Sequence, residues 1–264
     1  MLPEALRGAY GSDIAVPLRT DRPTLIANFV STIDGVVSYN IPDQAGGAEI
    51  SGFFEPDRFV MGLLRSLSDA VLIGAGTLRA APTHLWSPAF VHRQSATDFK
   101  TLREHLRLAA EPTTVVVTAS GDVDLSHPGL ADPTIPVTIL TTERGQAALR
   151  RQSPLPAHVE AVTGGADRVE PNALIEILAD RGFRLVLTEG GPQLFGQLVG
   201  CHLIEELFLT IAPQISGRSV ENPRLGLVEG TAFPLDEAPW SRLVDLRRSG
   251  SHIFARYRLQ EAAP

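Results

Sequence analysis

Apolar residues gather into short runs, and between several of these runs they recur every three or four positions. The runs Leu25 to Val30, Ala70 to Ile73, Val115 to Thr118, Val137 to Leu140, Val159 to Val162, Leu185 to Leu187 and Leu207 to Ile211 predict buried strands. Helical spacing predicts helices over Pro56 to Leu67, Asp98 to Ala109, Glu143 to Arg151, Pro171 to Arg181 and Pro192 to Val199. Strand and helix alternate, which is the arrangement of βαβ units around a mostly parallel sheet with helices on both faces.

The pattern changes near the C-terminus. Arg242 to Arg248 and His252 to Leu259 flank a Ser-Gly-Ser turn and predict an antiparallel hairpin. No internal repeat, low-complexity tract or linker interrupts the chain. The expected organisation is one α/β unit over 1–264, with a short N-terminal extension of about 22 residues and a loop-rich excursion from Pro213 to Pro239.

Composition narrows the function. With 44% hydrophobic and 20% charged residues, 264 residues are enough for one large core or two modest ones. A net charge of -7 and the lack of a basic stripe argue against a nucleic-acid surface. No apolar run approaches membrane-spanning length and the N-terminus lacks a signal pattern, so a cytoplasmic location is expected. The one cysteine, Cys201, excludes an intramolecular disulfide and a thiolate cluster, and its apolar neighbours suggest a buried structural thiol. Lys100 is the single lysine and lies in a polar, helix-like stretch, which disfavours Schiff-base chemistry. The histidines show no close ligand spacing; His202, beside Glu205 and Glu206, reads as helix-surface polarity, and no metal site is expected.

The chemistry concentrates at two junctions. In "LVLTEGGPQLFG" a strand ends at Glu189, passes Gly190 and Gly191, and enters a helix at Pro192. In "SDAVLIGAGTLRAAP" a strand ends at Ile73, passes Gly74-Ala75-Gly76 and presents Thr77 and Arg79. Such junctions aim free backbone N–H groups at one point, and two in one sheet suit a ligand with separated phosphates across the strand ends. Two readings stay open on spacing alone, an anion cradle or plain tight turns. The dinucleotide GxGxxG pattern fails, since its third glycine would fall at Arg79. Asp34-Gly35 reads equally as a turn or as polar lining. Asp69 reads as a structural hydrogen-bonding residue, whereas Glu189, a carboxylate at a buried strand end, needs partners that a ligand's N–H groups would supply.

The blocks "FVSTIDG", "LRSLSDAVLIGAGTLRAAP", "LTEGGPQLF" and "EELFLTIAPQISG", in this order, resemble the reductase domain of bacterial riboflavin biosynthesis, a pyrimidine reductase family with a dihydrofolate-reductase-like fold. The resemblance implies hydride transfer from NADPH to the ribosyl group of an aminopyrimidine phosphate, 5-amino-6-(5-phosphoribosylamino)uracil, in a homodimer. It implies that Gly190, Gly191 and the helix start at Pro192, Gln193 and Leu194 hold the cofactor pyrophosphate. Ser31, Gly74, Gly76 and Thr77 would line the NADPH site, Ser120 its adenosine end, and Arg79 would favour a 2′-phosphate or cap a helix. Glu189 would contact substrate near the hydride-transfer centre, with Glu189 or a bound water as the candidate proton source; Asp34 joins Glu189 as a candidate catalytic residue, and Asn28 and Arg65 would contact the substrate. The segment Glu205 to Gln214 is the candidate dimer contact.

Departures fall on the substrate side. Asn28 stands where the family carries lysine, Ala80-Ala81 replaces an acidic stretch, and the phosphate-gripping arginine is missing from "THLWSPAF". The HxE and PCxxC ligands of the zinc deaminase found in bifunctional relatives are absent. The alternatives are a paralogue reducing dihydrofolate or another pterin or pyrimidine, and a non-catalytic NADPH-binding protein.

Overall fold

Every strand expected from an apolar run forms in the computed structural model, which describes residues 1–41, 46–152 and 154–260. Residues 42–45, 153 and 261–264 of the expected unit lie outside the described residues. The chain runs through α1 (Glu4–Tyr10), β1 (Thr24–Ser31), β2 (Val36–Ser38), α2 (Gly47–Ser51), α3 (Glu55–Leu67), β3 (Ala70–Gly74) and α4 (Ala75–Ala80). It continues with α5 (Pro88–Val91), a 3-10 turn at Arg93–Ser95, α6 (Ala96–Leu106), β4 (Thr113–Val117), α7 (Pro128–Ala131), β5 (Val137–Thr141) and α8 (Glu143–Gln152). The remainder is β6 (Val159–Thr163), α9 (Pro171–Asp180), β7 (Leu185–Thr188), α10 (Pro192–Gly200), β8 (Ile204–Ile211), β9 (Leu225–Gly226), β10 (Trp240–Ser249) and β11 (His252–Gln260).

Nine strands share one sheet in the order β10-β11-β8-β1-β7-β3-β4-β5-β6. Pairing is parallel from β8 to β6, and the C-terminal hairpin adds two antiparallel strands beyond β8. The fold class is therefore the expected α/β architecture, a mostly parallel sheet with helices on both faces and an antiparallel edge. A separate pair joins β2 to β9 of the loop-rich excursion.

Alternation along each strand builds two cores. On one face Ile26, Val71, Ile73, Val116 and Ile139 pack with Leu6 of α1, Leu63 and Leu64 of α3, Phe99 and Leu102 of α6, and Leu149 of α8. On the other, Leu25, Leu72, Val115 and Val186 pack with Leu174 and Leu178 of α9 and Phe195 and Leu198 of α10. Pro56 in its first turn starts α3. At its other end the buried Arg103 donates through Nη1 to the carbonyls of Arg65 and Ser68, at 3.1 and 2.8 Å. A cation at a helix C-terminus satisfies carbonyls that have no intrahelical partner.

Several expectations change. The N-terminal extension is folded, with Leu2 and Leu6 buried in the core. Glu205 to Gln214 falls mostly on β8, whose two edges are hydrogen-bonded to β1 and β11, so it offers no free strand edge to a second copy. Glu206 is not at a helix surface: it lies on β8, buried between Arg256 and Arg258. Cys201 is exposed, because α10 ends at Gly200 and Cys201 is its C-cap. Asp69 has the expected role, accepting from the N–H groups of Arg184 and Leu185 at 2.9 Å.

Candidate active site

Strands β3 and β7 lie side by side, Leu72 beside Thr188, and both run directly toward helices at their C-terminal ends. Gly74 caps α4 and Gly191 caps α10. The Gly74-Ala75-Gly76 segment is thus a helix start rather than a turn, with Gly76 already in the first turn of α4. Early N–H groups of a helix have no intrahelical acceptor, and Gln193 and Leu194 occupy such positions on α10.

None of Gly74, Gly76, Gly190 and Gly191 has positive φ, so chain geometry does not demand glycine at these four positions. A Cβ on Gly190 would come within 2.7 Å of the tip of the Leu194 side chain, which would have to turn aside. A Cβ on Gly74 or Gly76 would meet nothing within 4 Å, and one on Gly191 would stand 3.6 Å from the Thr77 hydroxyl. Glycine at Gly74 and Gly76 keeps space open for something outside the chain. Gly76→Ala is therefore expected to stabilise the free protein slightly, by about 0.4–1 kcal/mol, while weakening nicotinamide-cofactor binding at least tenfold. Thermal unfolding and calorimetry on the same variant check the two halves.

These junctions open on a cleft of about 1500 Å³. Pockets for a single small ligand span roughly 300–1,000 Å³, so there is room for a cofactor with a second ligand beside it. Gly74, Gly76, Thr77, Arg79 and Ser120 line it from β3, α4 and the segment after β4. Glu189, Gly190, Gly191, Pro192, Gln193 and Leu194 line it from the β7–α10 junction, and Asn28 and Arg65 from β1 and α3. Arg79 reaches the Asp122 carbonyl only at 3.5 Å and is exposed.

Two expected residues stand outside this lining. Ser31 is buried at the end of β1, where its carbonyl accepts from the Ala212 N–H. Asp34 forms the turn between β1 and β2, accepting from the Thr32 hydroxyl at 2.6 Å and from the N–H groups of Ser216 and Gly217 at 3.0 and 2.7 Å. These hydrogen bonds, that of Thr32 foremost, hold its carboxyl well below the usual carboxylate range. Of its two readings, the turn is the one that forms; an anion tied to three donors is no proton source.

Glu189 is joined to Arg65. The guanidinium donates from Nε to Oε1 at 3.0 Å and from Nη2 to Oε2 at 2.6 Å, a bidentate fork between side chains only 1% and 10% exposed. Arg65 Nη1 also donates to the carbonyls of Leu85 and Ser87, at 3.1 and 3.2 Å. Its Nη2 lies 2.9 Å from His84 Nε2. Arginine only donates, so His84 must be neutral with its proton on Nδ1. Burial, and then the Arg65 charge, push the His84 imidazole down to about 3, in keeping with that tautomer. Glu189 is thus a fixed acceptor at the cleft wall.

Sequence reading missed Asp57, Arg58 and His84, which also line the cleft. Asp57, Met61 and Arg65 are spaced four residues apart on α3 and share one face. That spacing was the available signal, hidden because acids in a first turn ordinarily serve the helix dipole. Asp57 is 4% exposed. Burial pushes its carboxyl up to about 6, partly offset by hydrogen bonds from Thr210 and Ser51 and by His252, while the Glu189 charge adds to the rise. Among the described residues no group of three or more histidine, cysteine, aspartate or glutamate side chains is placed to hold a metal.

The RibD C-terminal domain family matches residues 23–244. This chain belongs to that family. A 2,5-diamino-6-ribosylamino-4(3H)-pyrimidinone 5′-phosphate reductase of Methanothermobacter thermautotrophicus is 29% identical over 240 residues, which span 89% of this chain and 98% of the relative. Among solved structures, a pyrimidine reductase-like protein from Corynebacterium diphtheriae superposes with a TM-score of 0.71 at 22% identity, covering 97% of this chain and 98% of that one. The Thermotoga maritima diaminohydroxyphosphoribosylaminopyrimidine deaminase/5-amino-6-(5-phosphoribosylamino)uracil reductase superposes at 0.61 with 19% identity, over 90% of this RibD-family chain and 56% of its own. At these identities the two structures speak to fold alone.

Proposed function

We propose that this RibD-family protein is a pyrimidine reductase of riboflavin biosynthesis that uses NADPH to reduce a phosphorylated ribosylaminopyrimidine. The observation that carries the reading is the pair of glycine-capped helix starts on adjacent strands, with Glu189 standing at one of them. NADPH, when bound, supplies a hydride from its nicotinamide ring. The chain would hold its phosphates with the free N–H groups of Gly191, Gln193 and Leu194 and with Thr77, and keep Gly74 and Gly76 bare for its approach. Arg79, Ser120 and Arg144 line the far part of the cleft and are the groups available to a 2′-phosphate.

On the α3 side, Glu189 would accept a hydrogen bond from the substrate beside the reacting carbon, its direction set by Arg65. Arg58 spends Nε on the Val91 carbonyl at 2.9 Å and has its terminal nitrogens for a substrate phosphate. It is the cation on this wall that stands in for the arginine absent from "THLWSPAF". The remaining chemistry is positioning, which aligns the hydride acceptor and excludes water. The reading includes a cytoplasmic enzyme, one reductase unit and a homodimer; the outer strand β10, with exposed Trp240, Leu243 and Leu246, is a better contact than the interior β8.

The test is calorimetric titration with NADPH and NADH, followed by the 2,5-diamino pyrimidinone phosphate with NADPH oxidation read optically. Tight NADPH binding, weaker NADH binding and substrate-dependent oxidation are expected. Binding without turnover would replace the enzyme by a cofactor-binding protein, and no binding at all would end the reductase reading.

A further inference from the structure

Two carboxylates of this fold, Glu206 and Asp57, are buried and a third, Glu189, is nearly so; two of the three have guanidinium partners. Glu206 is paired with Arg256 and Arg258, and Glu189 with Arg65. Asp57 is buried as well, at 4% exposure, yet among the described residues no lysine or arginine forms an ion pair with it. The cations nearest in sequence are engaged elsewhere, Arg58 at the Val91 carbonyl and Arg65 at Glu189.

The hydrogen bonds that serve Asp57 come from two hydroxyls, Thr210 on β8 and Ser51 at the end of α2, with the His252 imidazole acting on it only through its charge. Ser51 has a single proton and also reaches the Ala48 carbonyl at 3.2 Å, so its support is shared. An ionised carboxylate has about four acceptor positions. Two hydroxyls leave at least two unfilled, in a side chain that lines the cleft. The unmet requirement is for two adjacent N–H donors without a large cation, which is what an amidine-like ring edge offers.

We propose that Asp57 selects the substrate's ring: its carboxylate accepts from ring N3–H and the 2-amino group of a 2-amino-4-oxopyrimidine, and disfavours a ring with a 2-oxo group at that place. This inference rests on the reductase reading above. The two rings are those in the names of the relatives, a 2,5-diamino pyrimidinone in one and a uracil in the other. Uracil keeps N3–H but sets its O2 against a carboxylate oxygen, acceptor against acceptor. A site whose buried polar group is left unpaired rejects such a substrate strongly. Asparagine at the same position offers one acceptor and one donor, the complement of N3–H and O2.

The experiment compares kcat/KM for 2,5-diamino-6-ribosylamino-4(3H)-pyrimidinone 5′-phosphate and its uracil counterpart in wild type and Asp57→Asn. Wild type is expected to prefer the diamino ring by roughly 100-fold, and Asp57→Asn to move that ratio at least tenfold toward uracil with NADPH affinity unchanged. The variant removes a buried charge without an ion-pair partner, so its thermal midpoint is expected to hold or rise. Equal use of both rings by wild type, or an equal loss on both in the variant, overturns the proposal. A second arm needs no turnover: ligand-detected NMR with isocytosine and uracil on the NADPH-treated protein. If neither phosphate is reduced, the reductase reading fails. Asp57 then stands if isocytosine alone binds and Asp57→Asn abolishes it, and falls if the two rings bind alike or not at all.

Discussion

Glu189→Gln is expected to lower kcat by roughly 10²–10⁴-fold while the NADPH dissociation constant changes by no more than about threefold. Glutamine is nearly isosteric, but it replaces one acceptor oxygen by a donor. That donor faces Arg65, which presents Nε and Nη2 to the two oxygens at 3.0 and 2.6 Å. One of the two forked hydrogen bonds becomes donor against donor, and a guanidinium 1% exposed loses its counter-charge. The side chain then turns, and the acceptor meant for substrate is misplaced. Steady-state kinetics with calorimetry on one preparation separates the effects. A purely structural Glu189 predicts a lower thermal midpoint with kcat intact in the folded fraction, which would remove Glu189 from the proposed chemistry. Arg65→Lys serves as control: it retains the charge, loses the fork, and is expected to reduce kcat less than the Gln variant does.

The largest loss of stability is expected further along the sheet, where β8 meets the C-terminal hairpin. Glu206 Oε2 accepts from Arg256 Nε and Nη2 at 2.7 and 2.5 Å, and Oε1 from Arg258 Nε and Nη2 at 3.2 and 2.7 Å. Glu206 is 1% exposed, so Glu206→Gln strands arginine charge beside the sheet core. Removing one member of a buried pair costs about 3–5 kcal/mol, because the remaining charge lacks both water and partner. Arg258 is 36% exposed and solvent screens its share, so most of the loss comes through Arg256. Denaturant unfolding should show a lower midpoint with an unchanged slope, and melting should fall by on the order of 10 °C. A change within about 0.5 kcal/mol would mean that water reaches the triad.

The sheet was legible because its strands are buried on both faces and bounded by turn residues, so each run of apolar residues is a strand with no competing reading. Helices α3, α6, α8, α9 and α10 were legible by period. The short α4 was not, since two glycines in "GAGTLR" argue against helix and only the space left by the absent side chains shows why they are there. The β7–α10 junction could be read because its parts are contiguous. Asp57, Arg58 and His84 come together with Glu189 only through tertiary placement, and each taken alone has an ordinary explanation. Asp34 misled for the converse reason: an Asp-Gly pair after a strand suits a turn and a site equally, and the deciding partners, Ser216 and Gly217, are far along the chain. Cys201 was misjudged because apolar neighbours in sequence turn inward while the residue after a helix end turns out.

Arg256 reaches beyond Glu206 to the Ala15 carbonyl at 2.6 Å, and Arg247 of the neighbouring strand lies over the Tyr10 ring, 3.9 Å from its centroid, and donates to the Tyr10 carbonyl. Leu2 and Leu6 meanwhile plug the helical layer of the first core. Residues 1–22 thus form a clasp that fastens the last hairpin to the body of the fold. The family match starts at residue 23, after the clasp. The stretch shared with relatives therefore leaves out contacts that tie down this chain's last hairpin, and a fragment trimmed to residue 23 is expected to loosen its own C-terminal strands.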